Sequence, residues 1–396
     1  MIIFNATIHT LDQNNTVIEN GFIAFDEKIQ AIGKVDTPEY TKAVSQNQDS
    51  LQFDAKGKVI LPGFVDAHTH VGVWGNAEGV EGDDGNETTD PCTPHLRALD
   101  MVNPTDYCFS EALKAGVTTV MCGPGSANPI GGQFIAMKTA GSSRIDNRII
   151  KSPAAMKFAF GENPKMVYRE RGETPNTRMA TAALIREQLF KAVRYLEAIQ
   201  KSEEDPDCEP PEYDIKCEAL LPVLRKEIPV HAHAHRADDI FSAIRIAEEF
   251  DLKLTILHGT ESGEITDELK MLDVPFILGP VICDRSKPEL SGHTIDTAGM
   301  LFKNGIRFAI ATDHPVVPIQ YLPLSTGLTI RAGLPTENAL RKITIEAAEI
   351  CGLDDRVGSL ELGKDADIIV FDREQAFYDV LAVPEKTFIN GKEFET

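Results

Sequence analysis

The sequence has few positive charges for its length and no long apolar run. Its 396 residues include 39 lysines and arginines against 61 aspartates and glutamates, which gives a formal net charge of −22. Because an excess of negative charge repels phosphate backbones and anionic lipid surfaces, no nucleic acid is expected as a partner. No stretch reaches the roughly 18 apolar residues of a membrane span, and residues 1–12 lack the basic and apolar segments of a signal peptide. The sequence therefore predicts a globular protein with no membrane partner.

Cysteine is sparse and follows no motif. The seven cysteines are scattered along the chain, and none stands in a CxxC pair. This pattern excludes a disulfide framework and a thiolate zinc site as predictions, and it favours a reducing, cytoplasmic environment. The sequence is compatible with a homo-oligomer but does not specify the number of subunits.

Two kinds of periodicity are present. Short strands separated by turns are predicted at both ends of the chain, one of them over residues 17–25. The middle alternates buried apolar runs with helical segments, one of them over residues 237–250. Such alternation is typical of a parallel sheet, and about 290 residues is the right length for a closed (β/α)8 barrel. We therefore predict an α/β fold. A (β/α)8 TIM barrel would cover residues 62–358, and a small β-sandwich domain would be formed by both chain ends, residues 1–61 and 359–396.

Two histidines, His68 and His70, stand one residue apart in the run GFVDAHTH. Since side chains alternate across a strand, both would project from the same face and could bind one ion. Imidazole nitrogen is a common zinc ligand, at about 2.0–2.1 Å. Taken alone, the pair is equally compatible with polar residues that merely end a strand.

Histidine and aspartate also occur at the ends of three later predicted strands. The run VHAHAH places His231, His233 and His235 on one face. His258 closes LTILHG, and Asp313 closes FAIATD. The C-terminal strand ends of a barrel meet at one mouth, where active sites assemble. Each residue could also cap a loop or a helix, but together they predict a metal site.

This combination resembles the amidohydrolase superfamily, whose ligands come as HxH at the first barrel strand, His at the fifth, His at the sixth and Asp at the eighth. The runs VILPGFVDAHTH, EALKAGVTTV and GSLELGKDADIIVFD resemble the family's entry strand, second strand and exit from the barrel. Within the superfamily the sequence is most similar to the imidazolonepropionase-related branch. The resemblance implies metal-dependent hydrolysis of a C–N bond (amide, cyclic amide or peptide-like) in a small molecule.

Carried over by position, the resemblance also implies roles for single residues. His68, His70 and Asp313 would bind a metal ion, and Asp313 would serve as general base. His258 would bind a second metal or, in a one-metal site, contact the substrate, so His258 and Asp313 are the expected catalytic residues. The implied metal is zinc, one or two ions per chain, with iron or manganese as alternatives.

Two choices stay open in the fourth and fifth strands. His233 matches the family's ligand position and His235 would face the substrate, while His231 is the alternative ligand. A second metal needs a bridging anion, which the family supplies as a carboxylated lysine or a glutamate. Lys157, carboxylated by carbon dioxide, is the first candidate, although it could instead pair with an acidic neighbour. Glu162 is the alternative bridge and otherwise a substrate-binding residue.

Further substrate contacts are predicted from basic and aromatic residues. Arg236, or else Arg169 or Arg171, could bind a substrate carboxylate through a forked pair of hydrogen bonds, although arginines beside acidic residues more often form solvated ion pairs. Trp74 could wall the pocket. The glycine-rich stretch 122–134 lacks the lysine-serine ending of a P-loop, so we interpret it as a loop at the barrel mouth.

Two other functions remain open. A heterocycle deaminase would use the same histidines and aspartate with one metal and a glutamate as acid, so the number of metals per chain distinguishes it. A non-catalytic scaffold on the same fold would have lost its metals, and the retained ligand set speaks against it. The sequence does not identify the substrate, because specificity lies in the barrel loops.

Overall fold

The computed structural model describes residues 1–46, 51–75, 79–373, 376–380 and 382–395. Within these ranges the chain forms two eight-stranded sheets and eleven α-helices. None of the described helices is long and apolar enough to cross a membrane.

The bounds of the regular elements are as follows. The strands are β1 (Ile2–His9), β2 (Val17–Phe25), β3 (Ile29–Lys34), β4 (Gln52–Asp54), β5 (Val59–Pro62), β6 (Phe64–Thr69), β7 (Val117–Cys122), β8 (Ile130–Lys138), β9 (Ile149–Ala159), β10 (Val230–Ala234), β11 (Leu254–His258), β12 (Phe276–Leu278), β13 (Phe308–Ile310), β14 (Ile368–Phe371), β15 (Lys386–Ile389) and β16 (Lys392–Phe394). The helices are α1 (Pro38–Gln46), α2 (Tyr107–Lys114), α3 (Glu162–Glu170), α4 (Arg178–Glu204), α5 (Ile215–Leu224), α6 (Ala237–Glu249), α7 (Thr266–Leu269), α8 (Thr297–Lys303), α9 (Leu322–Arg331), α10 (Thr336–Arg341) and α11 (Ile345–Cys351).

Strands from both chain ends form the first sheet, in the order β16-β15-β14-β5-β1-β2-β3, with β4 beside β1. The antiparallel pairing of β5 with β14 joins the two ends and places Ile60 opposite Val370. Ile3, Ile23 and Phe388 belong to its buried cluster, and full burial of such side chains contributes about 1.5–3 kcal/mol each. The predicted sheet domain made by both chain ends is confirmed, while the predicted boundaries at residues 62 and 359 stay a prediction.

The second sheet is a nearly closed barrel, in the order β6 to β13, which confirms the predicted TIM-barrel class. Seven strands run in one direction, but β8 is antiparallel to both of its neighbours. The reason is the connection: only residues 123–129 link β7 to β8, whereas a parallel crossover needs about a dozen residues or more. The predicted mouth loop over residues 122–134 is therefore shorter than expected, because a strand begins at Ile130.

Side chains and loop backbone close the seam between the first and last barrel strands. No strand pairing joins β13 to β6 in the described part of the chain. Instead, the Thr312 hydroxyl donates to the Asp66 carboxylate at 2.6 Å, and the Asp313 N–H donates to the His68 carbonyl at 3.1 Å. Burial raises the pKa of Asp66 to about 7, although the hydrogen bonds from Thr312 act in the opposite direction.

A buried charge cluster ties the base of the barrel to the first sheet. Because β8 runs from the mouth to the base, its last residue, Lys138, reaches the segment before β14. Its ammonium lies 2.7 Å from Asp367 Oδ2 and 2.9 Å from Asp365 Oδ2. Asp365 also pairs with Arg356 and Lys28. Breaking such a buried pair by removing one partner costs about 3–5 kcal/mol.

Candidate metal centre

The first predicted ligand group assembles at the barrel seam. His68 lies near the end of β6, His70 directly follows that strand, and Asp313 follows β13. Asp313 Oδ1 lies 3.2 Å from His68 Nε2 and 3.3 Å from His70 Nε2. His70 Nδ1–H donates to the Gly123 carbonyl at 2.7 Å, which leaves Nε2 for an ion. These three side chains therefore converge as the sequence predicted.

His258 joins this group from the end of β11. One ligand atom each from His68, His258 and Asp313 lies within 4.8 Å of the others. His258 and Asp313 have φ angles of +71° and +55°, in the left-handed region that residues other than glycine rarely adopt and that clusters at functional sites. His258 Nδ1–H donates to the Gly279 carbonyl at 2.6 Å. Only glycine fits there, because a Cβ would lie 2.1 Å from the Ala311 carbonyl oxygen.

A second group forms around β10. Ligand atoms of His233, His235 and His258 lie within 4.8 Å of one another, and the His233 ring is 4.7 Å from His235 and 4.5 Å from His258. His231 lies outside both groups, against Phe134, and neither of its ring nitrogens has a hydrogen-bond partner within the described residues. The geometry favours His233 over His231 as the ligand. It also places His235, which was predicted to face the substrate, within this group of ligand atoms.

The protonation state of the centre suits a divalent cation. Burial lowers the pKa of His258 and His235 to about 3 and that of His233 well below its usual value. Burial alone would raise the pKa of Asp313, but His258 and His68 outweigh it and hold that pKa well below its usual range. His68 Nδ1 is buried without a hydrogen-bond partner in the described residues, and His68 Nε2 faces Asp313 Oδ1. Neutral imidazoles beside an ionised carboxylate are what a metal requires, so these residues fit one.

Lys157, on β9, is 1% exposed and lines the same cavity as the histidines. Burial lowers its pKa to about 8, although the charge of Asp313 acts in the opposite direction. None of the ion pairs between described residues includes Lys157, and its ammonium lies 5.7 Å from the centre of the Phe134 ring. The alternative that Lys157 merely pairs with an acidic neighbour therefore finds no support.

The structure does not place Glu162 among the ligand atoms or in the cavity lining, which disagrees with the prediction that it bridges two ions or binds the substrate. It begins α3, and its Oε2 accepts from the backbone N–H of Glu289 at 3.2 Å. It does not line the cavity, and it belongs to neither convergent group of ligand atoms in the described chain. The helix start holds its carboxylate away from the ligands.

Sequence reasoning missed Glu289, a buried carboxylate behind the second group. Its Oε2 accepts from the backbone N–H of Glu162 at 2.9 Å. Its Oε1 has no hydrogen-bond partner within the described residues and lies 3.8 Å from His233 Nε2 and 3.9 Å from His235 Nε2. Glu289 lies in a short turn between β12 and α8, where neither periodicity nor a motif marks it.

A cavity of about 820 Å³ opens above these groups. Trp74 lines it as predicted, with its ring 4.7 Å from that of His70 and its indole N–H donating to Asp83 at 2.6 Å. The apolar part of the wall includes Met166 and Ile282. The cavity therefore offers an apolar wall above a polar floor.

The arginines predicted to bind a carboxylate do not line the cavity. Arg236 points to solvent and pairs with Asp238 at 3.0 Å. Arg171 donates to the carbonyl and hydroxyl of Thr88, and Arg169 is also absent from the lining. The prediction for Arg236 is therefore corrected: an acidic neighbour two residues away on the same chain segment satisfies its guanidinium.

Residues 59–394 match the sequence model of the amidohydrolase family. The chain belongs to the amidohydrolase family. This family comprises enzymes that act on C–N bonds, so the predicted enzyme class is confirmed at that level. The narrower similarity to the imidazolonepropionase-related branch stays a prediction.

Individual relatives of this amidohydrolase agree with the assignment. The chain is 30% identical over 374 residues to amidohydrolase tasK of Hapsidospora irregularis, covering 87% of this chain but only 37% of that relative. It is 26% identical to a 5-methylthioadenosine/S-adenosylhomocysteine deaminase of Bacillus cereus, covering 93% of this chain and 84% of the deaminase. The crystal structure of an amidohydrolase from Thermotoga maritima MSB8 is 41% identical, with a TM-score of 0.91 over 99% of this chain and 98% of that one.

Proposed function

We propose that this amidohydrolase is a metal-dependent hydrolase that cleaves an amide, cyclic-amide or peptide-like C–N bond in a small molecule. The observation that carries the proposal is the convergence of two groups of ligand atoms, sharing His258, at the floor of one cavity. Their neutral histidines and ionised aspartate are the donor set that zinc prefers. A non-catalytic scaffold would not need to keep this set buried and in the protonation state for metal binding.

His68, His70 and Asp313 would hold the first ion, and His233 and His258 the second. When bound, a divalent metal supplies Lewis acidity, which lowers the pKa of water from about 15.7 to near 7 and polarises a carbonyl.

Lys157 lies beside both groups, and as a carbamate it would add the oxygen ligands that bridge two ions. Burial favours this reaction, because the lowered pKa leaves more of the amine neutral.

Asp313 would act as general base and then as acid. Its carboxylate lies at the cavity floor, where it would accept a proton from the attacking water and pass it to the leaving nitrogen. His235 has Nδ1 2.7 Å from the Thr260 hydroxyl, so a hydroxyl that donates there leaves an Nε2–H to stabilise the developing oxyanion. In a one-metal site His258 would contact the substrate through Nε2, which is an acceptor because Nδ1–H donates to the Gly279 carbonyl.

Replacement of Asp313 tests this assignment. Asp313→Asn should lower kcat on an amide panel by about 10²- to 10⁴-fold, the usual contribution of a general base, while the circular dichroism spectrum stays that of the folded protein. Asp284→Asn is the matched control, since Asp284 is another aspartate that lines the same cavity. An Asp313→Asn variant of normal activity would refute the role.

A heterocycle deaminase is the second candidate, and the 26% identity to a named deaminase over 93% of this chain favours keeping it. Such an enzyme would need a carboxylic acid near the second histidine group, where Glu289 lies. Metal analysis and ammonia release separate the two functions. One metal per chain with ammonia released from purine nucleosides supports the deaminase, whereas two metals with carboxylate released from amides support the hydrolase.

A further inference from the structure

Lys287 is the cation at the rim of the cavity. It lies in the loop between β12 and α8, is exposed, and lines the cavity. None of the ion pairs between described residues includes it, although acidic residues outnumber basic ones by 61 to 39. Arg178 and Arg236, which lie near the same end of the barrel, are by contrast paired with aspartates. Lys287 therefore has no carboxylate partner in the described chain.

Hydrogen bonds position this ammonium beside the metal centre. Lys287 Nζ donates to Asn163 Oδ1 at 2.7 Å, and Asn163 Nδ2 donates to the Ser126 hydroxyl oxygen at 2.8 Å. The same Nδ2 lies 3.4 Å from His233 Nε2. Because an ammonium has three donors and a hydroxyl keeps its own proton, Lys287 and Ser126 retain donors for a ligand. Both line the cavity together with His233.

Lys157 and Asp284 also line the cavity with charged side chains. Lys157 is the other lysine in the described lining, and it lies buried on the floor. Asp284 lies on the same loop as Lys287, and its Oδ1 accepts from the backbone N–H of Ser286 at 3.0 Å.

We propose that Lys287 and Ser126 bind an acidic group of the substrate. Since Asn163 contacts both Lys287 and His233, the acidic group would lie close to the bond that is cleaved. This geometry suits an amide whose nitrogen carries a carboxylate, the arrangement in an N-acyl amino acid. The inference rests on the proposed C–N hydrolysis and moves carboxylate recognition from Arg236 to Lys287.

Paired substrates test the subsite. The zinc-loaded protein is assayed on N-acetyl amino acids and on the same compounds with the carboxylate replaced by a carboxamide. The wild type should prefer the acid. Lys287→Gln keeps a donor for Asn163 but loses the charge, so KM for the acid should rise and the ratio of acid to carboxamide kcat/KM should fall about tenfold, since hydrogen bonds to charged groups are the stronger ones. Lys287→Arg should restore most of the preference.

The matched control is Lys270→Gln. Lys270 is an exposed lysine that pairs with Asp267 outside the cavity. In this variant the ratio of acid to carboxamide kcat/KM should stay at the wild-type value. Calorimetric titration with N-acetyl amino acids measures binding independently of turnover. An equal preference for acid and carboxamide that Lys287→Gln does not change overturns the subsite and leaves C–N hydrolysis standing. Selective binding of the acid without hydrolysis supports the subsite and contradicts the proposed function. If the protein neither binds nor hydrolyses these compounds, both the subsite and the proposed function are overturned.

Discussion

Under the proposed function, carboxylation of Lys157 would decide whether the centre holds a bridged pair of ions. In this reaction the neutral ε-amine adds to carbon dioxide, an N–C bond forms, and a proton is released to leave a carbamate anion. Lys157 is 1% exposed, and burial lowers its pKa to about 8. The protonated form cannot react, so uptake should follow the neutral fraction of the amine.

The pKa sets the size of the effect. With a pKa of about 8, about a tenth of Lys157 is neutral at pH 7 and about half at pH 8, whereas an ordinary lysine with a pKa of about 10.4 is neutral to roughly 0.04% at pH 7. Burial thus increases the reactive amine roughly 200-fold at pH 7. Uptake should rise about fivefold from pH 7 to pH 8 and by a further factor of about two from pH 8 to pH 9.

The assay reconstitutes metal-free protein with zinc and ¹³C-labelled bicarbonate between pH 6.5 and 9. Carbon-13 NMR detects the carbamate, and elemental analysis counts zinc per chain. The wild type should show the label and two zinc ions, and Lys157→Met one zinc ion and no label. Lys151→Met is the matched control, because Lys151 lies on the same strand but outside the cavity. Two zinc ions per chain without label at any pH would refute the reasoning.

Three further predictions concern the barrel that supports the centre. Lys138→Met leaves buried carboxylates without their cation, so the free energy of unfolding in urea should fall by about 3–5 kcal/mol, and Asp367→Asn in the same chain should restore part of it; an unchanged midpoint would count against the cluster. The raised pKa of Asp66, about 7, means that its contribution to stability is complete below about pH 4 and is lost as the pH rises towards 7. The metal-free wild type should therefore lose stability over that window relative to Asp66→Asn, and parallel Tm curves would contradict this. Gly279→Ala forces the backbone away from the Ala311 carbonyl and removes the acceptor that orients a site histidine, so zinc affinity in a chelator competition should fall by about 10- to 100-fold.

Periodicity and strand-end chemistry predicted most of the fold and of the first ligand group. The strand predicted over residues 17–25 is observed at those bounds, and the helix predicted over 237–250 is observed as Ala237–Glu249. Both segments carry a strong local pattern that tertiary packing reinforces. His68 and His70 could be placed on one face because the two-residue period of a strand fixes it.

Other features depend on contacts between segments that are distant in sequence. The direction of β8 follows from the short connection between β7 and β8. The glycines at the start of β8 also weakened the strand pattern in the sequence. Glu289 reaches the histidines only because the loop after β12 folds back onto α3. Arg236 was predicted to bind a substrate carboxylate because its guanidinium suits one. No sequence rule shows that its guanidinium instead pairs with the Asp238 carboxylate. Pairings of this kind are decided by the folded geometry.

An ion bound at the seam of the barrel would also affect the chain entropy of the unfolded state. Asp66 and Thr312, which join the first and last strands, are 246 residues apart in sequence, and the proposed ligands His68 and Asp313 adjoin them. An ion held by both segments closes a loop of that length. By analogy with a disulfide, closing a loop of about 100 residues removes about 4.7 kcal/mol of chain entropy from the unfolded state. Loss of the proposed ion would therefore also remove a link between the first and last strands of the barrel.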